Sequence, residues 1–165
     1  MIETRIVALW RSYMRLLQTN KEHVGVAERG VRAFLMLGPY LMVVLPLYAR
    51  AILREPLIVE GTSDDDIHLR CTLPDIIQLY LYLFGTWEPD LAAFMRRRLQ
   101  PGDTFVDVGA NIGYMTAVGS RSVGPEGAVV AFEPAPATRA ALGVTLEANK
   151  ITNVRVVAAA VSDRE

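Results

Sequence analysis

Two carboxylates and two glycines in the second half of the chain have the types and spacing to do chemistry. Asp107 closes an apolar run, Gly109 and Gly113 bracket a short turn with Asn111 at its centre, and Glu133 ends the next apolar run. A strand that enters such a turn and continues as a helix lets backbone approach a ligand closely. Glycine has no side chain to obstruct it, asparagine tolerates positive φ, and N–H groups at the helix start can bind a carboxylate or phosphate. A second strand that delivers a carboxylate to the same sheet edge supplies an acceptor for both hydroxyls of a ribose diol. Together these residues suit a cofactor that contains adenosine. Asp107 can orient the ammonium end of an amino-acid-bearing cofactor or cap N–H groups of the turn that follows it, and the residues alone leave both roles open.

A nicotinamide dinucleotide is disfavoured. Its usual turn is G-x-G-x-x-G, and here Asn111 and Tyr114 stand at the second and third glycine positions. A pyrophosphate would meet side chains where it needs bare backbone. Glu133, 20 residues beyond Gly113, suits either cofactor and does not discriminate.

These residues need a parallel sheet to position them. Thr104–Val108 and Ala128–Phe132 are apolar on both faces, as strands of a covered parallel sheet are, and Val154–Val161 reads as a third strand. Helices are expected near 112–123 and 136–149, with the turn Gly124-Pro125-Glu126-Gly127 between the first helix and the second strand. Right-handed crossovers then place all three strands in one sheet with helices on its faces, an α/β arrangement. Upstream, 57–60 and 67–72 read as short strands with a turn-like stretch from Gly61 to Asp66. Pro74 opens a helix through about Phe84 that Gly85 ends, and a second helix covers 89–99. Arg96, Arg97 and Arg98 fall in its last turn, where cations complement the helix dipole. The acids Asp64, Asp65 and Asp66 read as a solvated loop, His23 and His68 receive no role, and no metal site is expected.

The chain of 165 residues is 52% hydrophobic and 21% charged, which fits one folded domain. Its net charge of −1 gives no reason to expect nucleic acid as a partner. The charge is uneven, however: residues 1–56 carry 8 Lys and Arg against 4 Asp and Glu, and 57–165 carry 9 against 14. A basic, apolar N-terminal region ahead of an acidic remainder suits contact with an anionic membrane surface. Within it, residues 2–17 place Trp10 and three arginines (Arg5, Arg11, Arg15) on a helical repeat that serves either an interfacial helix or one packed on its own domain. The 17 residues Ala33 to Ala49 are uncharged, but Gly38-Pro39 and Pro46 interrupt them, and six Lys or Arg precede them. A true span would export everything after residue 50, so a re-entrant, interfacial or protein-buried segment is expected, at the inner face of the membrane of a cytoplasmic protein. The single cysteine, Cys71, excludes an intrachain disulfide, and no secretory signal peptide is apparent.

The string Pro101-Gly102-Asp103-Thr104-Phe105-Val106-Asp107-Val108-Gly109-Ala110-Asn111-Ile112-Gly113-Tyr114 resembles the cofactor motif of FkbM-type methyltransferases. Phe132-Glu133-Pro134 is similar to that family's second motif, Asn153-Val154 through Ala160-Val161-Ser162-Asp163 to its third, and Leu83-Phe84-Gly85-Thr86-Trp87-Glu88-Pro89 to its lead-in. The resemblance covers about residues 57–165. It implies a Rossmann-like class I methyltransferase fold and S-adenosylmethionine as cofactor. Asp107, Gly109 and Gly113 would surround the methionine half with Asn111 in mid-loop, Glu133 would hold the ribose hydroxyls, and Asp163, or backbone near Ala160 and Ser162, would meet the adenine edge. The implied reaction is methyl transfer to a hydroxyl of a sugar, lipid, glycolipid or small-molecule natural product.

This reading divides the chain into a helical region (1–56), lead-in strands and helices (57–100) and the first half of a cofactor-binding domain (101–165). About four further strands of the family's sheet, and a Lys-x-Asp-x-Glu-Gly segment, are not in the sequence, and no general base is assigned. A partial, weakly stable and inactive methyltransferase is therefore the expectation, with a non-catalytic membrane-associated cofactor-binding or scaffold module as the alternative.

Overall fold

The computed structural model describes residues 11–12, 26–53 and 56–163. Most of the helix expected over 2–17 lies outside them. Arg11 lies inside, and its guanidinium donates to the carbonyls of Thr62 (2.5 Å), Leu81 (3.1 Å) and Tyr82 (2.7 Å). Arg11 is thus turned to the domain rather than to lipid head groups, where it satisfies carbonyls at the end of a helix.

Helix α1, Val26–Ile52, runs through both Pro39 and Pro46. Each proline removes one N–H bond and crowds the carbonyl four residues back, but a helix of 27 residues survives the loss of two rungs. Next comes a hairpin of antiparallel strands, β1 (Leu57–Thr62) and β2 (His68–Leu73), two residues longer on β1 than expected because Gly61 and Thr62 pair with Leu69 and His68. Burial in β2 alternates strictly: Leu69, Cys71 and Leu73 point into the core, and His68, Arg70 and Thr72 point out. Helix α2 (Ile76–Phe84) begins two residues after Pro74, because the Asp75 side chain caps it by accepting the Gln78 N–H. Gly85, at φ 76°, closes it by donating to the Leu81 carbonyl.

Helix α3 (Pro89–Arg98) leads into the parallel sheet: β3 (Thr104–Val108), β4 (Ala128–Phe132) and β5 (Val154–Val157), in that order, with α4 (Tyr114–Val123) and α5 (Pro136–Ala148) as the crossovers. Sequential order with one handedness puts both helices on the same face. The packing agrees: a Cβ at Gly119 of α4 would strike the Phe105 ring, and Leu142 of α5 is buried with Ala131. The opposite face is therefore bare. It presents Val106 and Val108, 52% and 59% exposed, beside Val130, Phe132 and Val157. The expectation of a sheet covered on both faces is corrected here: these strands are apolar on both sides, but the described elements pack on only one.

The third strand also ends sooner than expected, at Val157 rather than Val161. Glu133 N–H still reaches the Val157 carbonyl at 3.1 Å, but Pro134 has no N–H with which to continue the ladder. One core joins the lead-in to the sheet half: Leu69, Leu79, Met95, Ile112 and Val118 belong to a single apolar cluster. The Asn149 side chain ties the end of α5 to β2, donating to the His68 carbonyl (2.8 Å) and accepting its N–H (2.9 Å). Among the described residues no helix is long and apolar enough to cross a membrane.

Candidate functional site

The site forms where β3 gives way to α4. Gly109, Asn111 and Gly113 have φ of 81°, 50° and 91°, so three of five consecutive residues lie in the left-handed region that glycine adopts freely and asparagine tolerates. This winding turns successive N–H groups inward. Gly109 and Ala110 both donate to the Phe132 carbonyl (2.9 and 3.0 Å), which locks the loop to the end of β4. Ile112 N–H is taken by the Asn111 side chain at 2.7 Å.

The two glycines serve different ends. A Cβ at Gly113 would lie 2.4 Å from Leu142 Cδ1, so bare backbone is needed there for α5 to pack. A Cβ at Gly109 would meet nothing within 4 Å. The space in front of Gly109 is open, as a loop that receives a ligand requires. No side chain caps α4 at Gly113, so its first N–H groups are left for a partner outside the helix.

Glu133, 7% exposed, stands against this loop. Its Oε2 accepts the Asn111 N–H and its Oε1 accepts the Ala135 N–H, both at 2.9 Å. A carboxylate has about four acceptor sites, so each oxygen retains room for one hydroxyl donor. Arg139 reinforces the turn by donating to the carbonyls of Glu133 and Pro134.

Asp107 is also buried. Burial pushes its carboxyl above the ordinary range; the hydrogen bond from Thr116 Oγ1 pulls it back, and the Glu133 charge pushes it up again. Among the described residues no cation pairs with either acid. Asp107, raised by burial and by the neighbouring Glu133 charge, and the buried Glu133 carboxylate beside it form a site that favours a positively charged ligand.

The structure thus brings together Asp107, Gly109, Asn111, Gly113 and Glu133. Asp163 is exposed, six residues past the end of β5, with no hydrogen bond to the others. Thr116 escaped notice in the sequence. Its signal was a small hydroxyl on a helix whose neighbours at that face, Ala117 and Ser120, are also buried.

In the acidic loop Asp64 and Asp66 are exposed, as expected, but Asp65 is half-buried and anchors a second polar cluster. Asp65 accepts hydrogen bonds from Tyr114 Oη (2.6 Å) and Arg96 Nη1 (2.5 Å), and Arg121 donates to its carbonyl. Asp65 therefore joins the hairpin to α3 and α4, and Arg96 complements a specific carboxylate as well as the helix dipole. An open depression of about 420 Å³ lies beside it, lined by Asp65, Arg96 and Arg121 among others, and it includes none of the site residues. No group of side chains among the described residues could hold a metal ion.

Residues 88–162 match the model of the protein-L-isoaspartate(D-aspartate) O-methyltransferase family. No curated protein matches the chain. Among solved structures, a methyltransferase from Aquifex aeolicus described as SAM-dependent is 24% identical, covering 53% of this chain and 43% of its own, with a TM-score of 0.40. A SAM-dependent O-methyltransferase from Thermotoga maritima is 21% identical, with 61% and 40% covered and a TM-score of 0.43. A precorrin-6y methyltransferase from Geobacter metallireducens is 21% identical, with 60% and 47% covered and a TM-score of 0.44. The chain spans less than half the length of each. The family match takes in β3, β4 and β5, and the fold is the Rossmann-like one of S-adenosylmethionine-dependent methyltransferases.

Proposed function

We propose that this site binds S-adenosylmethionine and serves transfer of its methyl group to an oxygen acceptor. The observation that carries the proposal is the hydrogen bond from Asn111 N–H to Glu133 Oε2. It holds a carboxylate that can clasp a ribose diol directly against the left-handed loop, while the open space at Gly109 leaves that loop approachable.

The residues fit the group. Asp107 and Glu133 are buried carboxylates without a cationic partner among the described residues, and S-adenosylmethionine brings both an ammonium and a sulfonium. The uncapped start of α4 suits its carboxylate. When bound, the cofactor supplies a methyl already activated on sulfur. The chain's part is to hold the adenosine and methionine ends, exclude water around Asp107, and fix the line of approach for the acceptor oxygen. Transfer also requires removal of the acceptor's proton when the acceptor is a hydroxyl.

Two acceptor classes have support. The quoted motifs resemble FkbM-type enzymes and favour a hydroxyl on a sugar, lipid or natural product. The family match over 88–162 favours a carboxyl oxygen, as in an isoaspartyl peptide. We place the hydroxyl first on the combined resemblance of the strings 83–89, 101–114 and 132–134 to that family.

Calorimetry with S-adenosylmethionine and with NAD tests the cofactor. Heat from the first and none from the second is expected, and the reverse would overturn the proposal. Methyl release from a panel of hydroxyl acceptors, set beside an isoaspartyl peptide, decides between the acceptor classes.

A further inference from the structure

We infer that helix α1 lies on an anionic lipid surface, its outward side embedded at head-group depth. One side of α1 is accounted for by the domain: Val44 is buried and Tyr40 half-buried against the main core cluster. The 3.6-residue repeat places Val31, Phe34, Leu41, Met42, Leu45 and Ile52 together on the far side, within about 100° of the helix circumference. They are exposed, Phe34 by 78%, Met42 by 80% and Ile52 by 81%. A surface helix in water puts its charges there. This one puts large apolar side chains there instead.

Two observations favour lipid over a protein partner. A protein patch fixes its register with polar positions in and around it, yet between Ala33 and Ala49 the only polar side-chain atoms are the hydroxyls of Tyr40 and Tyr48. Lipid demands no register, and an exposed tyrosine, as Tyr48 is, suits the boundary between head groups and acyl chains.

Charge is the second. Arg29, Arg32, Arg50 and Arg54 flank the uncharged run, and residues 1–56 carry an excess of 4 positive charges against an excess of 5 negative charges in 57–165. An anionic surface draws the helix down and holds the acidic remainder away. Because the middle of α1 packs on the domain core, the helix rests on the bilayer and does not cross it.

Flotation of the full chain with phosphatidylglycerol vesicles and with phosphatidylcholine vesicles tests this, beside the Phe34→Asp/Leu45→Asp variant. Both replaced side chains are exposed, and circular dichroism checks that the variant folds. The expected result is flotation with the anionic vesicles, weakened by salt and by neutral lipid, released by alkaline carbonate, and reduced at least about tenfold in the variant. An Arg29→Glu/Arg32→Glu variant, which leaves the apolar face intact, should lose the preference for anionic lipid. The inference is overturned if the wild-type chain ignores both vesicles, if the Phe34/Leu45 variant floats as well as the wild type, if carbonate fails to release it, or if sizing shows that these substitutions dissolve a dimer that has no affinity for lipid.

Discussion

Glu133 accepts the Asn111 N–H on one oxygen and the Ala135 N–H on the other, each at 2.9 Å. A single side chain thus ties the loop after β3 to the turn after β4, and the residue proposed to clasp the ribose is also the one that sets the distance between the two walls of the site.

Glu133→Gln should therefore damage binding and architecture together. The amide keeps one acceptor oxygen and presents an NH₂ group to an N–H that needs an acceptor. A loss of about 1–3 kcal/mol in stability is expected, with at least about tenfold weaker S-adenosylmethionine binding. Denaturant melts and calorimetry read the two effects separately. Unchanged binding would remove Glu133 from the site.

Alanine at the two loop glycines should separate packing from ligand approach. Gly113→Ala faces a left-handed φ and a collision with Cδ1 of the wholly buried Leu142, which must shift within the core. A loss of roughly 2–4 kcal/mol follows from strain plus overpacking. Gly109→Ala meets only the strain of its φ, about 1 kcal/mol, because the space before it is open. Its larger effect should be on cofactor affinity. Equal stability losses at the two positions would contradict this assignment.

The Asp107 carboxyl is raised by burial, lowered by Thr116 and raised again by Glu133. A carboxyl raised in the folded state binds its proton more tightly there than in the unfolded chain. Its contribution to stability is full below the ordinary carboxylate range and is lost as pH rises through the folded value. Asp107→Asn should accordingly stabilise the ligand-free protein near neutral pH, flatten that part of the pH dependence, and abolish cofactor binding. Melting temperatures across a pH series are the measurement. A variant that is destabilised at neutral pH and no less pH-dependent would show that the buried charge is not the cause.

Tyr114 opens α4 directly after the loop, and its hydroxyl joins Asp65 and Thr86 (2.6 and 3.1 Å). Burial and the Asp65 hydrogen bond push the phenol up to about 12. Tyr114→Phe should cost about 1 kcal/mol by loosening the hairpin junction, since Asp65 keeps Arg96. Cofactor affinity should hardly move, which calorimetry checks. A large loss of affinity would place the tyrosine in the site.

The strand–turn–helix motif was legible because its signals are local. An apolar run, two glycines around an asparagine and an acid at the end of the next run each constrain backbone within a few residues, and Asp107, Gly109, Asn111, Gly113 and Glu133 do meet. What escaped depends on distant pairing. Asp65 looked like part of a solvated loop until Tyr114 and Arg96, 49 and 31 residues away, closed on it. The bare sheet face could not be read from Val106 and Val108, because an apolar strand residue looks the same whether or not something covers it. The end of β5 was set by Pro134, just past the end of the neighbouring strand β4, not by the residues of β5 itself. The run through Pro39 and Pro46 suggested an interrupted segment, yet the helix is continuous.

The most direct test is the affinity of the full chain for S-adenosylmethionine, measured by calorimetry beside Glu133→Gln and Gly109→Ala, with NAD as the contrasting ligand. Saturable binding of S-adenosylmethionine by the wild type, weakened in both variants, with no response to NAD, is the expected result. Binding that neither substitution changes, or binding of NAD alone, would contradict a site built on the loop 109–113 and Glu133.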